Sequence, residues 1–210
     1  TELSFSFNVN YLRSERSLFI KYIYLLNKIK DMNSLETAYI AGGCFWCTEA
    51  VFQRLNGVEE IHSGYMGGNI KNPAYHEVCS GRTGHTEGIK VVFDPTVISY
   101  KTLLTVFFAT HDPTTLNRQG NDVGTQYRSS IFYTTDAQRE IATDLITELQ
   151  KSTFESPIVT ELLSEMPFYR AEEEHHNYYN DNSEQGYCSY IISPKIQKLK
   201  QNYLHLLKTI

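Results

Sequence analysis

An apolar pentapeptide, a glycine pair and a cysteine-led helix, joined without a linker, constrain this chain's fold more than any other feature. Thr37-Ala-Tyr-Ile-Ala41 has the pattern of a short buried strand, Gly42-Gly43 that of a tight turn, and Cys44 to Leu55 that of a helix closed by Asn56-Gly57. Further along, Val58 to Met66 reads as a second strand, Gly67-Gly68 to Pro73 as a loop, and Gly88 to Phe93 as a third strand ended by Asp94-Pro95. Ser99 is a good N-cap for a helix from Tyr100 to Thr110, where Leu103, Leu104, Val106, Phe107 and Phe108 form a broad apolar face. A loop from His111 to Gly124 leads to a fourth strand, Gln126 to Thr134, and Asp136 starts an amphipathic helix that runs to about Lys151. This order predicts an α+β fold with a ferredoxin-like split β-α-β core (βαββαβ) and a helical and loop-like C-terminal extension. Glu155 to Phe168 has room for one more short strand, and a final helix is expected from Pro194.

The chain has 210 residues, 41% of them apolar, enough for one sizeable core. Residues 1–36 differ from the rest: Tyr11 to Lys30 is rich in Tyr, Leu, Ile and Lys, and Lys21 and Lys28 interrupt its apolar stretch. A secretory h-region is free of charge and followed by small residues, so this segment is read instead as a peripheral helix or a disordered tail, with Met32 as an alternative start. Residues 37–210 are then a single catalytic domain with a mobile C-terminal segment. The net charge of −5, with no Lys/Arg run, argues against a nucleic-acid partner. No uncharged apolar run is long enough to span a membrane, and a cytoplasmic monomer is expected.

Four cysteines, Cys44, Cys47, Cys79 and Cys188, are too few and too scattered for a secreted disulfide scaffold. Cys44 falls where the glycine turn meets the helix, and there unpaired N–H groups and the helix dipole are expected to lower a thiol pKa. Cys47 is one helical turn on, so a Cys44–Cys47 disulfide is sterically reasonable. Zinc would want a second ligand pair at similar spacing, but neither Cys79 nor Cys188 has a Cys or His two residues away, and His175 and His176 are adjacent. Phe45 and Trp46 lie between the cysteines, placed to wall an apolar pocket beside a nucleophile.

The segment Gly42-Gly43-Cys44-Phe45-Trp46-Cys47-Thr48-Glu49 resembles the signature of the peptide methionine sulfoxide reductases of the A type. Further segments resemble that family in the same order: Gly64-Tyr65, Gly67-Gly68, Asn72-Pro73-Ala74-Tyr75, Val78-Cys79-Ser80-Gly81, Thr83-Gly84-His85-Thr86-Glu87, His111-Asp112-Pro113, and Gln119 to Asp122 followed by Gly124 to Ser129. The likeness covers roughly residues 37 to 192, and colinear motifs are far more specific than one C-x-x-C.

The resemblance implies that Cys44 attacks the sulfur of a methionine-S-sulfoxide, free or within an oxidised protein or peptide. Glu87 matches the family's acid, and Tyr75 and Tyr127 match hydroxyls that bind the sulfoxide oxygen. Asp122 matches a carboxylate that orients this network, while Phe45 and Trp46 match the walls around the S-methyl group. Cys44 would be left as a sulfenic acid, to condense with a second thiol. Cys188, in Gln185-Gly186-Tyr187-Cys188, resembles the family's resolving segment and is favoured; Cys47 is a rival, since many members carry glycine at its position. Cys79 is expected to be buried and inert, and His85 and His111 to be structural. No flavin or nicotinamide motif is visible, so no cofactor or metal is expected, and the resemblance implies thioredoxin as reductant. Two other classes compete: a thiol-disulfide oxidoreductase using Cys44–Cys47, and a non-enzymatic module that binds methionine-rich or oxidised peptides.

Overall fold

The computed structural model describes residues 35–209. Nearly all of the N-terminal segment assigned to residues 1–36 lies outside the described residues. The strand before the glycine turn is β1 (Glu36–Gly42), and the helix after it, α1 (Phe45–Phe52), is a turn shorter than its apolar pattern suggested. β2 (Val58–Met66) follows with the predicted limits. Next comes α2 (Tyr75–Cys79), which the sequence pattern did not disclose because one turn of helix is too short to show a period. β3 (Thr86–Phe93) leads to α3 (Tyr100–Thr110), capped as expected by Ser99, whose hydroxyl accepts from the Thr102 N–H.

The predicted loop from His111 holds a small hairpin, β4 (Arg118–Gln119) and β5 (Asp122–Val123). The strand predicted from Gln126 starts later, as β6 (Ser129–Tyr133), because Thr125–Tyr127 winds into a 3-10 turn. The amphipathic helix α4 (Asp136–Ser152) crosses back to β7 (Glu161–Ser164), which therefore runs parallel to β6. β8 (Tyr169–Arg170), a short helix α5 (Tyr178–Asp181), a π-helical turn over Cys188–Ile192 and α6 (Ser193–Tyr203) complete the fold.

The main sheet has the order β7-β6-β1-β3-β2-β8, with every neighbour antiparallel except the β6–β7 pair. Alternation along the strands divides its side chains between two faces. Ala38, Ile40, Ile89, Val91 and Ile131 enter the main core with α1 and α3, whereas Tyr39, Met66 and Phe132 form a smaller cluster under Met166 and Phe168. The fold is thus a mixed α/β domain. Among the described residues no helix is long and apolar enough to cross a membrane, and no group of three or more His, Cys, Asp or Glu is placed to hold a metal ion.

Candidate active site

The site grows from the end of β1. Gly43 has φ +90°, a conformation only glycine adopts without strain, and a Cβ there would stand 2.6 Å from the Gln119 side chain. That close approach lets the β4–β5 hairpin sit over the turn. Cys44 then caps α1: its carbonyl takes the first helical hydrogen bond, from the Cys47 N–H at 3.1 Å.

The helix terminus lowers the Cys44 pKa through the Trp46 N–H, but larger opposing effects outweigh it, and the Phe45 N–H donates to Glu87 Oε2 at 3.1 Å. Cys44 is only 8% exposed, and burial, its hydrogen bond with Cys47 and the nearby Glu87 carboxyl push its pKa well above the ordinary thiol range. The Cys47 thiol moves the other way, to about 7: the hydrogen bond with Cys44 stabilises its thiolate, burial opposes this, and the Lys195 ammonium assists. Of the two thiols, Cys47 is thus the more acidic and Cys44 the one that holds its proton more firmly.

Glu87 stands on β3 at 1% exposure. Burial raises its pKa to about 8 despite the Phe45 hydrogen bond, so it carries a proton at neutral pH. Tyr75 and Tyr127 are half-buried, and desolvation raises both phenol pKa values, which keeps the hydroxyls neutral donors. Phe45 is fully buried, with the Tyr65 and Tyr75 rings at 5.8 and 6.4 Å. Trp46 is not an open wall. Its ring stacks on Tyr178 at 3.7 Å and 5°, with His175 at 5.8 Å, and its buried Nε1 has no hydrogen-bond partner.

Asp122 is brought to the dithiol by the β4–β5 hairpin, but its Oδ2 accepts from the Tyr187 hydroxyl at 2.7 Å and not from Tyr75 or Tyr127. The Tyr187 oxygen lies 3.8 Å from Cys47 Sγ. A cavity of about 160 Å³ opens here, lined by Cys44, Cys47, Gln119, Asp122, Tyr187 and Lys195, among others. Cys188 is fully buried beneath this wall, its Sγ 3.9 Å from Gln185 Oε1, and it does not line the cavity. Cys79 is half-exposed beside Tyr75, against the expectation of burial, because α2 runs at the surface. His85 and His111 tie loops as expected: His85 Nδ1 accepts from Gly68 N–H and its Nε2 meets Ile70 O at 2.7 Å, while His111 bridges Phe107 O and Ser129 Oγ.

Sequence reading missed Tyr187, Tyr178, His175, Glu172 and Lys195. All five come from the C-terminal segment that packs over α1, and the one signal for Tyr187 was its place beside Cys188. Among the described residues, Lys195 is the only cation on the cavity wall. Lys195→Met is expected to raise the Cys47 pKa by about one unit, read from the pH dependence of Cys47 alkylation, whereas Lys198→Met on the exposed side of α6 leaves it unchanged.

A buried dithiol, a carboxyl held protonated and two neutral phenols around it define a thiol-based redox site. The comparisons identify the kind. Residues 36–207 match the family model described as Peptide methionine sulfoxide reductase, and the chain belongs to that family. A protein of Deinococcus radiodurans named Peptide methionine sulfoxide reductase MsrA is 56% identical over 169 residues, covering 80% of this chain and 82% of that one. The reduced form of Mxr1 from Saccharomyces cerevisiae superposes with a TM-score of 0.71 at 34% identity, covering 74% of this chain and 90% of that one. The same yeast protein in complex with Trx2 gives a TM-score of 0.51 at 26% identity, covering 68% and 85%.

Proposed function

We propose that this chain reduces methionine-S-sulfoxide to methionine by way of Cys44 and is recycled by thioredoxin, serving to repair oxidised proteins. The observation that carries the reading is the pairing of a Cys44–Cys47 dithiol with Glu87, a carboxyl that burial keeps protonated beside it. Sulfoxide oxygen leaves only when protonated. As the substrate enters, the proton of the bond between the sulfurs moves to Cys47 and the Cys44 thiolate attacks the sulfoxide sulfur. Glu87 supplies a proton to the oxygen, which Tyr75 and Tyr127 hold by neutral hydrogen bonds, and Phe45 and Trp46 bound the S-methyl group. The protonated oxygen passes to Cys44 as its bond to the substrate sulfur and the transient bond between that sulfur and Cys44 both break, so that Cys44 becomes a sulfenic acid and methionine leaves reduced by two electrons.

Cys47, already hydrogen-bonded to Cys44, then attacks the sulfenic sulfur, releasing water and forming the Cys44–Cys47 disulfide. Cys188 lies in the same core cluster, fully buried behind the cavity wall, so the C-terminal segment must move before this thiol takes part in a second exchange. Reduced thioredoxin takes the disulfide and restores both thiols; the Trx2 complex of the yeast relative supports this partner. Asp122 orients Tyr187 at the dithiol. All these groups lie within residues 37–210, which supports reading that span as one catalytic domain, and we take the protein to act as a monomer. The central strand order β6-β1-β3-β2 and its antiparallel pairing support the ferredoxin-like split β-α-β reading of that domain.

The test is a peptide bearing one resolved epimer at sulfur, given to the reduced protein. Methionine is expected from the S-sulfoxide and none from the R-sulfoxide. Equal yields, or none from either, would contradict the reading.

A further inference from the structure

Tyr75 begins a helix of only five residues, too short to hold its own position. Its N–H has no partner within that helix and donates instead to Glu172 Oε1 at 2.8 Å. The other oxygen of the same carboxylate, Oε2, accepts from the Tyr65 hydroxyl at 2.9 Å. Tyr65 is fully buried on β2, with its ring 5.8 Å from Phe45. Glu172 is itself delivered rigidly: β8, just before it, pairs with Gly64 and Tyr65 of β2, and the Ala171 N–H donates to Ser63 O at 2.9 Å. Three residues on, the His175 ring lies 4.3 Å from that of Tyr75. The start of the C-terminal segment therefore grips Tyr75 twice, at its backbone and on its ring.

We propose that Glu172 is a positioning residue for the reaction, its two oxygens fixing Tyr75 against β2 so that the Tyr75 hydroxyl meets the sulfoxide oxygen. This rests on the donor role assigned to Tyr75 above. The carboxylate accepts from both neighbours, the Tyr75 N–H and the Tyr65 hydroxyl. A glutamine could keep both contacts by donating its NH2 to the Tyr65 oxygen, whereas an alanine removes both and leaves Tyr75 without its anchor.

The test is a double-mutant cycle read by the single-turnover rate of methionine formation from a methionine-S-sulfoxide peptide at saturation. Glu172→Ala is expected to lower that rate about 10-fold in the native background and less than about 2-fold once Tyr75→Phe is present, since a misplaced donor that is already gone costs nothing. The exposed neighbour variant Glu173→Gln is expected to keep the native rate. Should Glu172→Ala fold poorly by circular dichroism, Tyr65→Phe frees the second oxygen of Glu172 instead, and its smaller loss is likewise expected to vanish in the Tyr75→Phe background. Equal costs in both backgrounds, or no cost in either, would overturn the proposal. A Tyr75→Phe variant at the native rate would overturn the donor role itself, and the proposal with it, and that result is read from a separate variant.

Discussion

Replacing Glu87 by Gln is expected to slow methionine formation in a single turnover by about 10²- to 10⁴-fold, the range a positioned general acid contributes. Gln keeps the shape and can still accept the Phe45 N–H, so what is lost is the proton. The following disulfide step does not use Glu87 and is expected to run at the native rate; equal slowing of both steps would sink the acid role. The pH profile gives an independent reading. With Glu87 at about 8 and Cys47 at about 7, the native first-turnover rate is expected to rise through pH 7 as the dithiol ionises and to fall above pH 8 as the acid is lost. The Gln variant should keep the first limb and lose the second. Linkage has the same origin: Glu87 is raised above its ordinary 4.5, so its contribution to stability is full below that pH and is lost as pH rises through about 8. Denaturant titrations should show that decline in the native protein and a flatter profile in Glu87→Gln.

The second large effect is expected at Cys47. Cys47→Ser should still release one equivalent of methionine per chain, because Cys44 and Glu87 remain, but more slowly, because the group that takes the Cys44 proton is gone. Its thioredoxin-supported steady-state rate is expected to fall by about 10²-fold or more, since the preorganised intramolecular thiol is gone and a buried Cys188 must reach Cys44 instead. Steady-state turnover near the native rate in Cys47→Ser would return the resolving role to Cys188. The steps are separable by quenching with an alkylating agent at successive times and following methionine and free thiols together.

What the sequence made legible was local. The turn at Gly42-Gly43, the position of Cys44 at the start of α1 and the Ser99 cap all follow from residues within a few positions of one another, and the structure has them. Glu87 was located by its flanking motif, and its burial agrees with the acid role. The long-range packing was not legible. Tyr187 reaches Asp122 across 65 residues of chain and Glu172 reaches Tyr75 across 97, and no periodicity encodes contacts at that separation. The stretch between Phe168 and the expected helix from Pro194 therefore read as loop, although it supplies Tyr178 against Trp46 and Tyr187 at the dithiol. The raised pKa of Cys44 was not legible for a related reason: the helix-terminus argument sees the N–H groups, of which that of Trp46 does act on the thiol, but not the burial and the distant Glu87 carboxyl that outweigh it.

The most direct test of the central claim is thiol mapping after one turnover. Fully reduced protein is mixed with one equivalent of a methionine-S-sulfoxide peptide in the absence of thioredoxin, quenched by alkylation at short times and digested for mass spectrometry. The account predicts one methionine per chain and a Cys44–Cys47 disulfide that appears before any bridge to Cys188. Methionine formed with Cys44 still free to alkylate and no disulfide at that residue, or a Cys44–Cys188 bridge that appears first, would contradict it.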